Sequence, residues 1–145
     1  MKKIATLLVM IIALCLLSGC SSSKKLTCER SYEQAESQIT EKVTIDFKND
    51  AVVSLNHEIR NTLPDSQKDF LSFAKQAQES AMKLFKDEKG ITTTVTSDNL
   101  TIITVMKVEP TKLSKEMKAT LDMDENVAVY ESAKKFYTES EFTCK

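Results

Sequence analysis

Cysteine offers the most chemistry in this chain. There are four, at positions 15, 20, 28 and 144, and they fall into three roles. Cys20 closes Leu17-Ser18-Gly19-Cys20, which has the form of a bacterial lipobox, the signal at which a precursor is lipidated on cysteine and cut just before it. Cys15 lies inside the preceding apolar run and would leave with it. Cys28 and Cys144 remain, near the two ends of what would be the mature chain. An exported domain meets an oxidising compartment, so these two are expected to pair. Closing so long a loop is worth about 4–5 kcal/mol in the chain-entropy description. The alternative is two unpaired buried thiols. A metal site is disfavoured, because two cysteines and one distant histidine lack ligand spacing.

The other reactive groups are few. His57 is the sole histidine, so any Ser/His/Asp triad would have to use it. It has apolar residues two positions away on either side along a strand pattern, where a histidine is more often packed than catalytic. Paired cysteines cannot act as nucleophiles. Asp122-Met123-Asp124-Glu125-Asn126 resembles the opening of a calcium loop, but Val127 stands where glycine is required and Ala133 where a bidentate glutamate is required. Asp124 reads more simply as a helix cap. Asp46 and Glu58 would face each other across a hairpin, yet solvated strand faces are full of such residues and this is no glycosidase signature. No catalytic residue, bound metal or cofactor is expected, and the chain reads as non-enzymatic.

Composition narrows the classes further. The two glycines are Gly19 and Gly90, so the region after Cys20 keeps one. A phosphate-cradling loop needs several, for positive φ and close backbone approach. The formal charge of −1 becomes more negative by two once Lys2 and Lys3 leave. That mild acidity, with no block of like charge, speaks against nucleic acid and against a polybasic membrane patch. Tryptophan is absent, and Tyr32, Tyr130 and Tyr137 are not ordered into a stacking platform.

The elements that would carry these residues follow in chain order. Residues 1–19 read as a lipoprotein signal peptide: a Met1-Lys2-Lys3 basic start, then Ile4 to Leu17, apolar but for Thr6, too short for a spanning helix. The alternatives are an ordinary secretory signal cut near Gly19 and an uncleaved anchor. Residues 20–25 are the lipidated cysteine and a short tether; its five residues Ser21 to Lys25 reach at most about 15–18 Å. Residues 26–145 form a single domain. Leu26 to Arg30 is a short first strand, and Ser31 to Gln38 is loop or strand continuation. Ile39, Glu41, Val43, Ile45 and Phe47 alternate on one face of a strand. Asn49-Asp50 is the hairpin turn. Ala51, Val53, Leu55, His57 and Ile59 share a face of the return strand. After Leu63-Pro64, with Asp65 or Ser66 as cap, the period becomes helical to about Lys89. Phe70, Phe73, Ala74, Ala77, Ala81, Leu84 and Phe85 form a stripe expected to cover the sheet. Gly90 ends that helix. A second hairpin runs from Ile91 to Val108, turning at Ser97-Asp98-Asn99. Short helices follow over Lys112–Ala119 and Val127–Thr138, and Glu141 to Lys145 is a last strand that echoes the first.

This order resembles that of the YehR-like family of small bacterial lipoproteins. The residues that carry the resemblance are Ile45-Asp-Phe-Lys-Asn-Asp-Ala-Val52 in the first hairpin and Thr96-Ser-Asp-Asn-Leu-Thr-Ile-Ile103 with Lys107-Val-Glu109 in the second. The resemblance implies an exported α+β domain on a lipid anchor and carries no activity or catalytic residue with it. The Cys28–Cys144 pair is not part of it and rests on the compartment argument alone.

The fold expected is therefore α+β: an antiparallel sheet of two hairpins plus short terminal strands, packed against one long helix and smaller helices. The expected function is that of a lipid-anchored module on the extracytoplasmic side of the cell membrane, binding a protein or small envelope component near the bilayer. The alternative is a carrier of an apolar ligand held between helix and sheet.

Overall fold

A computed structural model describes residues 22–123 and 127–145. Six strands form one antiparallel sheet: β1 (Ser23–Gln34), β2 (Ser37–Lys48), β3 (Ala51–Thr62), β4 (Ile91–Asp98), β5 (Thr101–Val108) and β6 (Thr143–Cys144). Their order across the sheet is β4-β5-β3-β2-β1-β6. Three helices accompany them: α1 (Leu71–Met82), α2 (Lys115–Thr120) and α3 (Tyr130–Glu139). The class is α+β, as the alternation and the single long helical period implied.

β2 is the centre of the build. Its residues alternate strictly, and Ile39, Glu41, Val43, Ile45 and Phe47 are all buried. Alternation specifies register wherever one face is covered, because a slip of one residue would expose the whole set. The turn Asn49-Asp50 has φ of 51° and 64°, the left-handed pair that a two-residue hairpin needs. A second such turn, at Ala35-Glu36 with φ of 49° and 65°, has no turn chemistry in its residues. It makes β1 a long strand paired with β2 from Ser23 to Gln34, where the sequence suggested a short one.

The return strand holds a correction. Phe47 pairs with Val52, but Asp46 pairs with Ser54, so Val53 is an extra residue in β3. The bulge switches faces. Val52, not Val53, packs against the core, and Val53 is 41% exposed. Ala51 likewise leaves the face it was expected to share with Leu55, His57 and Ile59. The second hairpin turns one residue later than expected, with Asp98 paired to Thr101 and Asn99 at φ 51°.

The long helix is shorter than its apolar period. The α-helix covers Leu71–Met82, between 3-10 turns at Asp65–Phe70 and Lys83–Phe85. Neither Asp65 nor Ser66 caps it: Pro64 precedes the first turn with no side-chain cap bond. Gly90 follows with φ of 89°, and a Cβ there would lie 2.8 Å from the Glu109 carbonyl oxygen. α1 lies along β4 and β5, whereas α3 lies against β1 and β6.

The main core sits on the β1–β2–β3 part of the sheet. Leu26, Val43, Ile45, Phe47 and Leu55 meet Leu113, Met123, Val127, Ala133 and Phe142 from the C-terminal segments. α1 contributes no fully buried residue. The stripe expected to seal the sheet therefore does so only in part. Residues such as Ala74 and Met82 are half-buried, while Phe70, Phe73 and Leu84 stay 62%, 70% and 81% exposed. Ser114 caps α2, its hydroxyl accepting from the Met117 amide at 3.1 Å. Asp124, the expected cap of α3, lies outside the described residues.

Candidate functional site

Two arrangements on the core side of the sheet merit a chemical reading. The first is built around Glu41, a carboxylate placed by alternation on an otherwise apolar face. Pairing sets Arg30 opposite it on β1, and His57 reaches it from β3, where it sits beside Val43. Arg30 donates from Nη2 to Glu41 Oε1 at 2.8 Å, and the Tyr32 hydroxyl donates to the same oxygen at 3.0 Å. His57 Nε2 lies 3.1 Å from Oε2. Arg30 also donates from Nη1 to the Ser140 carbonyl at 3.2 Å, and its guanidinium lies over the Phe142 ring at 4.5 Å. Three strands and the end of α3 are thus tied through one buried acid.

The electrostatics follow from burial and partners. Burial alone would raise the Glu41 carboxyl, but hydrogen bonds from Arg30 and Tyr32 and the Arg30 charge outweigh it and hold the group below its ordinary range. Burial pushes His57 down, against the opposing pull of Glu41, so its neutral form is favoured. Burial, then the bond to Glu41, raises Tyr32. Burial first, with the Glu41 charge adding to it, raises Tyr137 to about 12. Both oxygens of Glu41 are already engaged. The cluster acts as a fixed counter-ion that locks strands in register.

The second arrangement is the surface around α1. Phe73 on α1, and Phe70 and Leu84 on the 3-10 turns at its two ends, are exposed. An open groove of about 490 Å³ separates the helix from β4. Met82, Phe85, Ile91 and Val95 supply its apolar lining, and Glu79 and Lys83 are among its charged residues. The other large exposed hydrophobic residues among those described, Tyr32, Val53 and Val129, are less exposed, at 38–41%.

The residues singled out from sequence are distributed as follows. Cys28 and Cys144 face each other across β1 and β6 and form a disulfide. Cys20 lies outside the described residues. Asp46 and Glu58 do not face each other: Asp46 accepts from the Ser54 hydroxyl at 2.8 Å, and Glu58 pairs across the strands with Lys42. Asp122 takes a φ of 53°, and residues 124–126 are outside the described part. Among the described residues, no group of three or more His, Cys, Asp and Glu is placed to hold a metal ion. Arg30 and Tyr32 were not linked to Glu41 by sequence. The available signal was the acid itself, since an ionised group on a buried strand face needs partners.

No family model matches the chain, and no curated protein matches it significantly. Two solved structures do. One is the NMR structure of a protein from Streptococcus pneumoniae TIGR4, with a TM-score of 0.56 and 14% identity over 88% of each chain. The other is the NMR structure of the E. coli YehR protein, with a TM-score of 0.59 and 13% identity over 85% of this chain and 92% of that one. The fold resembles that of YehR. This is the likeness that Ile45–Val52 and Thr96–Ile103 pointed to, and at such identity it is a likeness of fold.

Proposed function

We propose that this protein is a lipid-anchored envelope module, tethered through Cys20 and non-enzymatic, that binds a protein or small envelope component close to the bilayer. The observation that carries the reading is the exposure of Phe73 on α1, and of Phe70 and Leu84 on the 3-10 turns at its two ends, in a helical segment that also packs on the sheet. Exposed apolar side chains gathered on one element mark interaction surfaces more often than isolated ones do. β1 takes in Ser23–Lys25, so Ser21 and Ser22 alone would separate Cys20 from the sheet and hold the domain within reach of the membrane surface. A photoreactive residue at Phe73 tests this in cells. It is expected to yield a defined adduct that the same group at Lys42, on the opposite sheet face, does not. Equal or absent labelling at the two sites would contradict the proposal.

The groove between α1 and β4 favours a second reading, an apolar-ligand carrier, because its volume falls in the range of small-molecule sites. Under that reading, organic extraction of chain purified from membranes yields one stoichiometric apolar compound beyond the acyl chains on Cys20. Its absence would remove the carrier.

A further inference from the structure

β4 is an edge strand, paired with β5 on one side and with no strand on the other among the described residues. Edge strands present free backbone donors and acceptors, and natural proteins normally blunt them with charge, proline, a bulge or a cover. The opposite edge shows such devices. β6 and the Cys28–Cys144 disulfide cover β1, Thr27 and Lys145 exchange two backbone bonds, and β1 carries Lys24, Lys25, Glu29 and Arg30. β4 has fewer: α1 packs against it and Asp98 ends it, but no strand, proline or bulge protects its edge. From Ile91 to Ser97 it has no charged residue and no proline, its register with β5 is unbroken, and Thr92, Thr94 and Thr96 are exposed. Threonine and valine are strong strand formers, so the segment is held ready in pairing geometry.

We infer that β4 pairs antiparallel with β4 of a second copy of this chain, joining two six-stranded sheets into one. Charge selects this occupant. With Thr94 opposite Thr94 of the other copy, a two-fold axis sets Asp98 of each chain opposite Gly90 of its mate and beside the mate's Lys89. The uncharged centre then meets itself, and opposite charges meet at both ends. A two-fold contact of this kind is closed and does not propagate into a fibre.

The test uses the full chain in detergent. Under mild oxidation Thr94→Cys should give a covalent dimer well above that from Lys42→Cys on the distant sheet face. Sedimentation of the unaltered chain should show a concentration-dependent dimer. Thr94→Lys should weaken it by roughly tenfold or more, because two lysines would then stand directly opposite each other. An unaltered chain that stays monomeric at every concentration would overturn the inference. So would equal crosslinking at the two cysteines, or crosslinking in the envelope to a different protein in place of a second copy. Should Thr94→Cys not fold, sedimentation of the unaltered chain decides alone.

Discussion

Glu41 is the residue on which the sheet's polar order depends. It is 6% exposed, and its partners come from two other strands. Replacing it with Gln should destabilise the domain by about 2 kcal/mol in urea unfolding, less than a fully buried pair because Arg30 is partly solvated. The pH dependence has a definite sign. His57 is depressed in the fold from its ordinary 6.5, so the unfolded chain takes up a proton first. Its contribution is full above pH 6.5 and declines as pH falls toward the folded value. Glu41 lies below its ordinary 4.5. The stability that its pairs lend is full above pH 4.5 and lost as pH falls through the folded value. Thermal melting should therefore be level from pH 6.5 up to the onset of tyrosine ionisation, where the raised Tyr32 and Tyr137 begin to lower it, and should decline in two stages below pH 6.5, with His57→Gln removing the upper stage. A melting temperature independent of pH down to 4.5 would contradict this.

At the scale of elements, the two kinds of apolar face should respond differently to substitution. Val43, 1% exposed on β2, should cost roughly 2–3 kcal/mol as Val43→Ala. Phe73→Ser on α1 should cost within about 0.5 kcal/mol, because that ring is 70% exposed. Parallel urea melts check both. The contrast also shows where sequence reading reached its limit. β2 was legible because only one of its faces is buried, so burial is written as alternation. α1 was legible as amphipathic, but period 3.6 says only that a stripe exists and not that a neighbour covers it. The full length of β1 was hidden by Ser31 to Gln34, which lie exposed and need no apolar period. The bulge at Val53 was hidden because Val52 and Val53 are the same residue type. The Glu41 cluster was hidden because Arg30 reaches it only through the turn at Ala35-Glu36.

At the scale of the molecule, the chain is closed near both ends. Cys28 and Cys144 are 116 residues apart in sequence and joined across β1 and β6. Replacing both with serine should lower unfolding stability by about 2–5 kcal/mol, and reductant should lower the urea midpoint of the native chain correspondingly. No shift would show that the bridge does not form in solution. The order of elements supports the rest of the account. A disulfide covers one sheet edge, and among the described residues the opposite edge, β4, pairs with no further strand. The proposed reading is that the domain works at a membrane surface. Intact mass spectrometry of the chain purified from membranes tests that claim most directly. The account predicts a chain that begins at Cys20, carries acyl groups on that residue and has the Cys28–Cys144 thiols oxidised. A chain that retains Met1, or that begins at or near Cys20 without lipid, would contradict it.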